Sequence, residues 1–101
     1  MEMHQIRYAL AVARAGSFTK AAEGCNASQP ALSKAVKALE AKLGSPLFHR
    51  EGKKVLTSEF GRSMLPHLQR IVDEAEVTQM GRVPTGGVAD GDGRAVPAKP
   101  D

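Results

Sequence analysis

The segment QPALSKAVKALEAKL carries Gln29, Ser33, Lys34 and Lys37 between its apolar residues. Residues three and four apart are neighbours on an α-helix, so these four collect on one side of it. The chemistry open to them is hydrogen bonding and charge. A glutamine amide can pair bidentately with the edge of adenine, and a lysine can donate to guanine or neutralise a phosphate. Leu32, Val36, Leu39 and Leu43 recur at core spacing on the other side. One face thus fixes the helix to its own domain, and the other is free for something outside it.

No residue set points to catalysis. Cys25 is the only cysteine, which excludes an intramolecular disulfide, and its place on an apolar helix face reads as a packed core thiol. His4, His49 and His67 are scattered without metal-ligand spacing. Gly16, Gly44, Gly52 and Gly61 fall at turns or packing positions and form no phosphate loop. With no convergence of acid, base and nucleophile, the expectation is a non-enzyme with no metal and no cofactor.

The elements that must hold the polar face follow from periodicity and punctuation. A first helix is expected over about 4–15, with Ile6, Ala9, Leu10 and Ala13 inward and Gly16 as its stop. Ser17 caps a short second helix over about 18–24, with Phe18, Ala21, Ala22 and Cys25 inward. Asn26-Ala27-Ser28 makes a tight turn, Ser28 caps the third helix over about 29–43, and Pro30 fits its first turn. Two β-prone runs, 47–50 and 54–57, flank Glu51-Gly52-Lys53 and predict a hairpin with a basic tip. Ser58 caps a long fourth helix to about Met80, bent but not broken at Pro66. Along it Met64, Leu68, Ile71, Ala75 and Thr78 follow a 4-3-4-3 spacing, widened by Leu65 and Val72, which predicts a seam for a partner helix.

Charge divides the same way. Residues 1–57 hold nine Lys and Arg against four acids, and 58–80 hold two against four. A basic first part points to a polyanion partner for that part. From Gly81 to Asp101 there is no Leu, Ile, Phe, Met or Tyr, but five glycines and three prolines. Such a tail cannot bury enough apolar surface to offset its ordering entropy and is expected to be disordered. The sequence shows no signal peptide and no apolar run of membrane-spanning length, so a cytoplasmic protein without membrane contact is expected.

Three helices followed by a two-stranded hairpin describe a mainly α winged helix-turn-helix, in which the helix after the tight turn enters the DNA major groove. Residues 1–58 would form that domain, 59–80 a linker and dimerisation helix, and 81–101 the tail. The run SFTKAAEGCNASQPALSKAVKALEAKLGSPLFHR, continued by EGKKVLTSEFGR, resembles the N-terminal DNA-binding domain of LysR-type transcriptional regulators. The motifs S-Q-P-A-L-S, L-E, L-G, P-L-F and R carry this likeness, over residues 1 to about 80.

The resemblance implies roles. Ser28, Gln29 and Pro30 open the recognition helix at the DNA, and Ser33, Lys34 and Lys37 contact bases or phosphates. Ser17, Thr19 and Lys20 meet the backbone from the second helix. Arg50, Lys53 and Lys54 reach the adjacent minor groove or its phosphates. Met64, Leu65, Leu68, Ile71, Val72 and Ala75 would pair two subunits on a two-fold related DNA site. Cys25 and Ala27 stand where the family has larger aliphatics, and Thr57 where it commonly has Leu. The family's effector-binding domain is missing, so no small-molecule effector is expected on this chain. A truncated regulator is the expectation. A partner of full-length relatives in mixed dimers, or a fragment without a role, are the alternatives.

Overall fold

The computed structural model describes residues 1–79, the last two by backbone alone. Four helices and one hairpin follow in order: α1 Met3–Ala15, α2 Phe18–Gly24, α3 Gln29–Leu43, β1 Phe48–Glu51, β2 Lys54–Thr57 and α4 Glu59–Gln79. This is a mainly α winged helix-turn-helix, and the boundaries of α2 and α3 coincide with those read from the sequence. Met80 and the tail at 81–101 lie outside the described residues.

Capping explains the α2–α3 turn. The Ser17 hydroxyl accepts from the Lys20 amide at 3.1 Å, and the Ser28 hydroxyl from the Ala31 amide at 3.2 Å. Asn26 adopts the left-handed conformation at φ 58°. The Asn26 amide donates to the Glu23 carbonyl, and the Ala27 amide donates to the Ala22 carbonyl at 2.9 Å. That pair of bonds is a Schellman motif, which satisfies the last carbonyls of α2. Asparagine is among the few non-glycine residues that enter this conformation readily. The left-handed position is thus Asn26, and Gly24 lies inside the helix.

Ile6, Ala9, Leu10 and Val12 from α1 meet Ala21 and Ala22 from α2 in the core. Leu32, Val36 and Leu39 come from α3, Leu47 and Phe48 from the entry to the wing, and Leu68 and Val72 from α4. Two expectations change. Val12 is fully buried and Ala13 exposed, because α2, α3 and α4 all cover α1 and widen its buried stripe on the Val12 side. Leu68 and Val72 are 1% and 5% exposed within the chain's own core, so they leave the proposed partner seam. Met64 and Leu65 are partly buried against the same core, Ala75 is half-buried, and Ile71 remains exposed at 38%.

The hairpin also differs by a residue. β1 starts at Phe48 because the backbone of Leu47 is bound elsewhere: its amide donates to Glu40 Oε2 and its carbonyl accepts from the Ser58 amide. β1 extends to Glu51 because the turn contains only Gly52 and Lys53, with Gly52 at φ 60° and Lys53 at negative φ. A glycine of positive φ in the first central position is the type II′ arrangement. Beneath the hairpin the chain makes a close approach at Gly61. A Cβ there would collide with the Leu47 carbonyl and come within 2.8 Å of Thr57 Cγ2. The Ser58 hydroxyl accepts from the Gly61 amide and donates to the Pro46 carbonyl, closing the joint between wing and α4. α4 continues through Pro66 as one helix.

Candidate nucleic-acid interface

Two surfaces adjoin: the polar side of α3 and the inner face of the wing. Lys34 and Lys37 are exposed on α3 and have no partner among the described residues. Gln29 is half-buried at the first turn, and its Nε2 donates to Ser33 Oγ at 3.0 Å. That bond orients the amide before any ligand arrives, and it leaves the carbonyl oxygen and one N–H free. Pro30 is exposed in the same turn. Ser28 spends its hydroxyl on the α3 cap, and Ser17 spends its own on α2, so each presents a helix start rather than a free hydroxyl. Helix starts carry unpaired N–H groups and a partial positive charge, both suited to phosphate. Thr19 and Lys20 are exposed on α2, with Lys20 at the groove shared by α1, α2 and α4.

The wing splits its three cations. Successive strand residues alternate faces. Phe48 and Arg50 therefore share the inner face of the hairpin with Val55 and Thr57, their cross-strand partners. Arg50 Cζ lies 4.6 Å from the centroid of the Phe18 ring, within cation–π range. Phe18, Ser33, Lys37, Glu40, His49 and Arg50 border one hollow between α2, α3 and β1. Lys53 occupies the turn, and Lys54 faces outward opposite Glu51. The structure thus brings Arg50 to α3 and leaves Lys53 and Lys54 apart from it.

Glu40 is the site residue that sequence reasoning missed. Its Oε2 accepts from the amides of Leu47 at 2.7 Å and Phe48 at 3.3 Å. A carboxylate bond to backbone N–H is among the stronger hydrogen bonds, and here it ties the last turn of α3 to the entry of the wing. The available signal is slight: Glu40 is an acid between Lys37 and Lys42 in the basic half. No group of three or more potential metal ligands exists among the described residues, and Cys25 is a half-buried free thiol.

Residues 3–62 match the family described as bacterial regulatory helix-turn-helix protein, lysR family. The chain is similar to the SDS degradation transcriptional activation protein of a Pseudomonas species, at 42% identity over 71% of this chain and 24% of the relative. An HTH-type transcriptional regulator from Azotobacter vinelandii is 40% identical over 78% of this chain and 55% of its own length. The fold of this chain matches the crystal structure of the CbnR DBD–DNA complex with a TM-score of 0.74 at 34% identity, covering 78% of this chain and 91% of that one. The chain spans between about a fifth and just over half of the length of the first curated relatives it matches. With its winged helix-turn-helix and a family match over more than half its residues, this chain belongs to the LysR family of bacterial regulatory helix-turn-helix proteins.

Proposed function

We infer that the chain is a sequence-specific DNA-binding regulator of transcription that occupies a two-fold related operator as a dimer. The observation that carries this reading is the α3 surface. Gln29, Ser33, Lys34 and Lys37 face outward from a helix whose other side is buried through Leu32, Val36 and Leu39. Gln29 and Ser33 would read base edges, and Lys34 and Lys37 would pair with guanine or phosphate. Arg50 would enter the neighbouring minor groove, with Lys53 and Lys54 at phosphates further out. The relative whose structure is a DNA complex supports the nucleic acid as partner.

Dimerisation would use the outer side of α4. Ile71 is the exposed aliphatic there, with Met64 seven residues before it and Ala75 four after it. Leu65, Leu68 and Val72 support that helix from within the subunit. Two subunits joined in this way would present two recognition helices to half-sites about one helical turn apart, or a multiple of that. The chain's chemistry is binding and not catalysis.

Selection of bound sites from a random duplex pool, with the bound mass measured on the winner, tests this. A two-fold motif carrying two chains is the expected result. A well-folded chain that enriches no duplex sinks the reading, and a winner bound by one chain removes the dimer. Affinity for the selected site should also fall steeply with salt, since several cations displace counterions from phosphate.

A further inference from the structure

The reading of Arg50 as a DNA contact leaves open what holds it in place. An arginine on a two-stranded ribbon has many rotamers, and ordering them on binding costs affinity. Here the side chain is already engaged. Its guanidinium carbon lies 4.6 Å from the centroid of the Phe18 ring. That ring is itself fixed edge-on against Phe48, with centroids 6.3 Å apart and an interplanar angle of 87°. Phe48 is 8% exposed and donates its amide to Glu40, so the support runs back to α3. Phe18 is half-buried at the start of α2 and packs against the core, so one edge of the ring is held from within while Arg50 lies over its face. Lys53 and Lys54 have no comparable partner among the described residues.

We propose that Phe18 is a positioning residue for Arg50: the ring presets the guanidinium beside the recognition helix, and thereby sets the base preference of the wing at the flank of the DNA site. This rests on the DNA-binding reading above. A guanidinium held in the minor groove favours A·T pairs, because their narrow groove is more electronegative and lacks the guanine 2-amino group. A guanidinium released from its ring would sample many positions and lose that preference, while its positive charge would still attract phosphate.

The test uses the full chain and the duplex it selects from a random pool, with the wing-proximal pairs made A·T, G·C or inosine·C. Inosine lacks the 2-amino group, so inosine·C resembles A·T in the minor groove alone. The unaltered chain should prefer A·T and inosine·C over G·C by about tenfold. Arg50→Ala should abolish that ratio. Phe18→Leu, which keeps apolar volume and removes the ring, should reduce it nearly as far, and Phe18→Tyr should retain it. The double variant Phe18→Leu/Arg50→Ala should do no more than Arg50→Ala alone. Because each ratio is taken within one variant, a loss of folded protein cancels from it. Phe18→Leu with the ratio intact, or losses that multiply in the double variant, overturns the proposal. If Arg50→Ala leaves the ratio untouched while Gln29→Ala still weakens binding, the proposal fails and the DNA-binding reading stands. If no duplex is selected at all, both fail.

Discussion

Helix α3 and the wing bring Lys37 and Arg50 to the border of one hollow, and the two elements hold their side chains by different means. In α3 the polar residues take their places from the helical repeat and from one buried stripe, Leu32, Val36 and Leu39. In the wing, place is assigned from a distance. Glu40 fixes the backbone entry, Phe48 anchors the inner face, and Phe18 receives Arg50. Lys53 and Lys54, one residue-pair further out, receive no such support. Local periodicity therefore orders a whole face of a helix at once. A ribbon of four-residue strands is ordered one side chain at a time, and only as far as its tertiary contacts extend.

The largest expected effect removes both halves together. Leu39→Ala empties the buried centre under α3 and should cost about 2–5 kcal/mol of stability in a denaturant titration. A loss well under 1 kcal/mol would mean that α3 is not anchored there. Glu40→Ala separates the two halves: it orphans two backbone amides, costs about 2–3 kcal/mol, and acts on the wing first. Hydrogen exchange should quicken at the Leu47 and Phe48 amides far more than at Leu39, and Glu40→Gln, which keeps an acceptor oxygen, should recover much of the protection. Equal acceleration at all three amides would show that the carboxylate supports the fold as a whole and not the wing.

On DNA, Gln29→Ala should cost roughly 1–3 kcal/mol at the selected site and relax the choice at one base position. The same loss on random duplex would count against a base-reading role. Lys53→Ala marks the far end of the comparison. It should weaken all duplexes alike and lower the salt slope by about 0.9, as one phosphate contact does. A change in base preference from Lys53→Ala would show that the wing tip is better ordered than its contacts indicate.

Much of this was legible in the residues. Ser17 and Ser28 as caps, Gly16 and Gly44 as stops, and the apolar spacing of α3 are local features, and each lies where the sequence indicated. The outward placement of Gln29, Ser33, Lys34 and Lys37 followed from the same periodicity. The Asn26 turn and the two-residue hairpin loop were legible only in part. Choosing between Gly24 and Asn26 as the left-handed residue, or between a two- and a three-residue turn, depends on hydrogen bonds that spacing does not specify. Glu40 shows the limit more sharply. An acid in a basic segment reads as surface charge until the chain returns seven residues later and delivers two amides to it.

The fourth helix divides what each level decides. Its existence, its start at Ser58 and its amphipathic character come from the sequence alone, because caps and hydrophobic period act within a few turns. The same apolar residues, however, satisfy two geometries: a heptad seam for another chain and a stripe for the chain's own core. Only the packing of α4 against α1 decides between them. It draws Leu68 and Val72 inward and leaves Ile71 outside. Burial is a non-directional force proportional to area, so the sequence determines how much apolar surface must be covered. Which neighbour covers each residue is set by the tertiary structure.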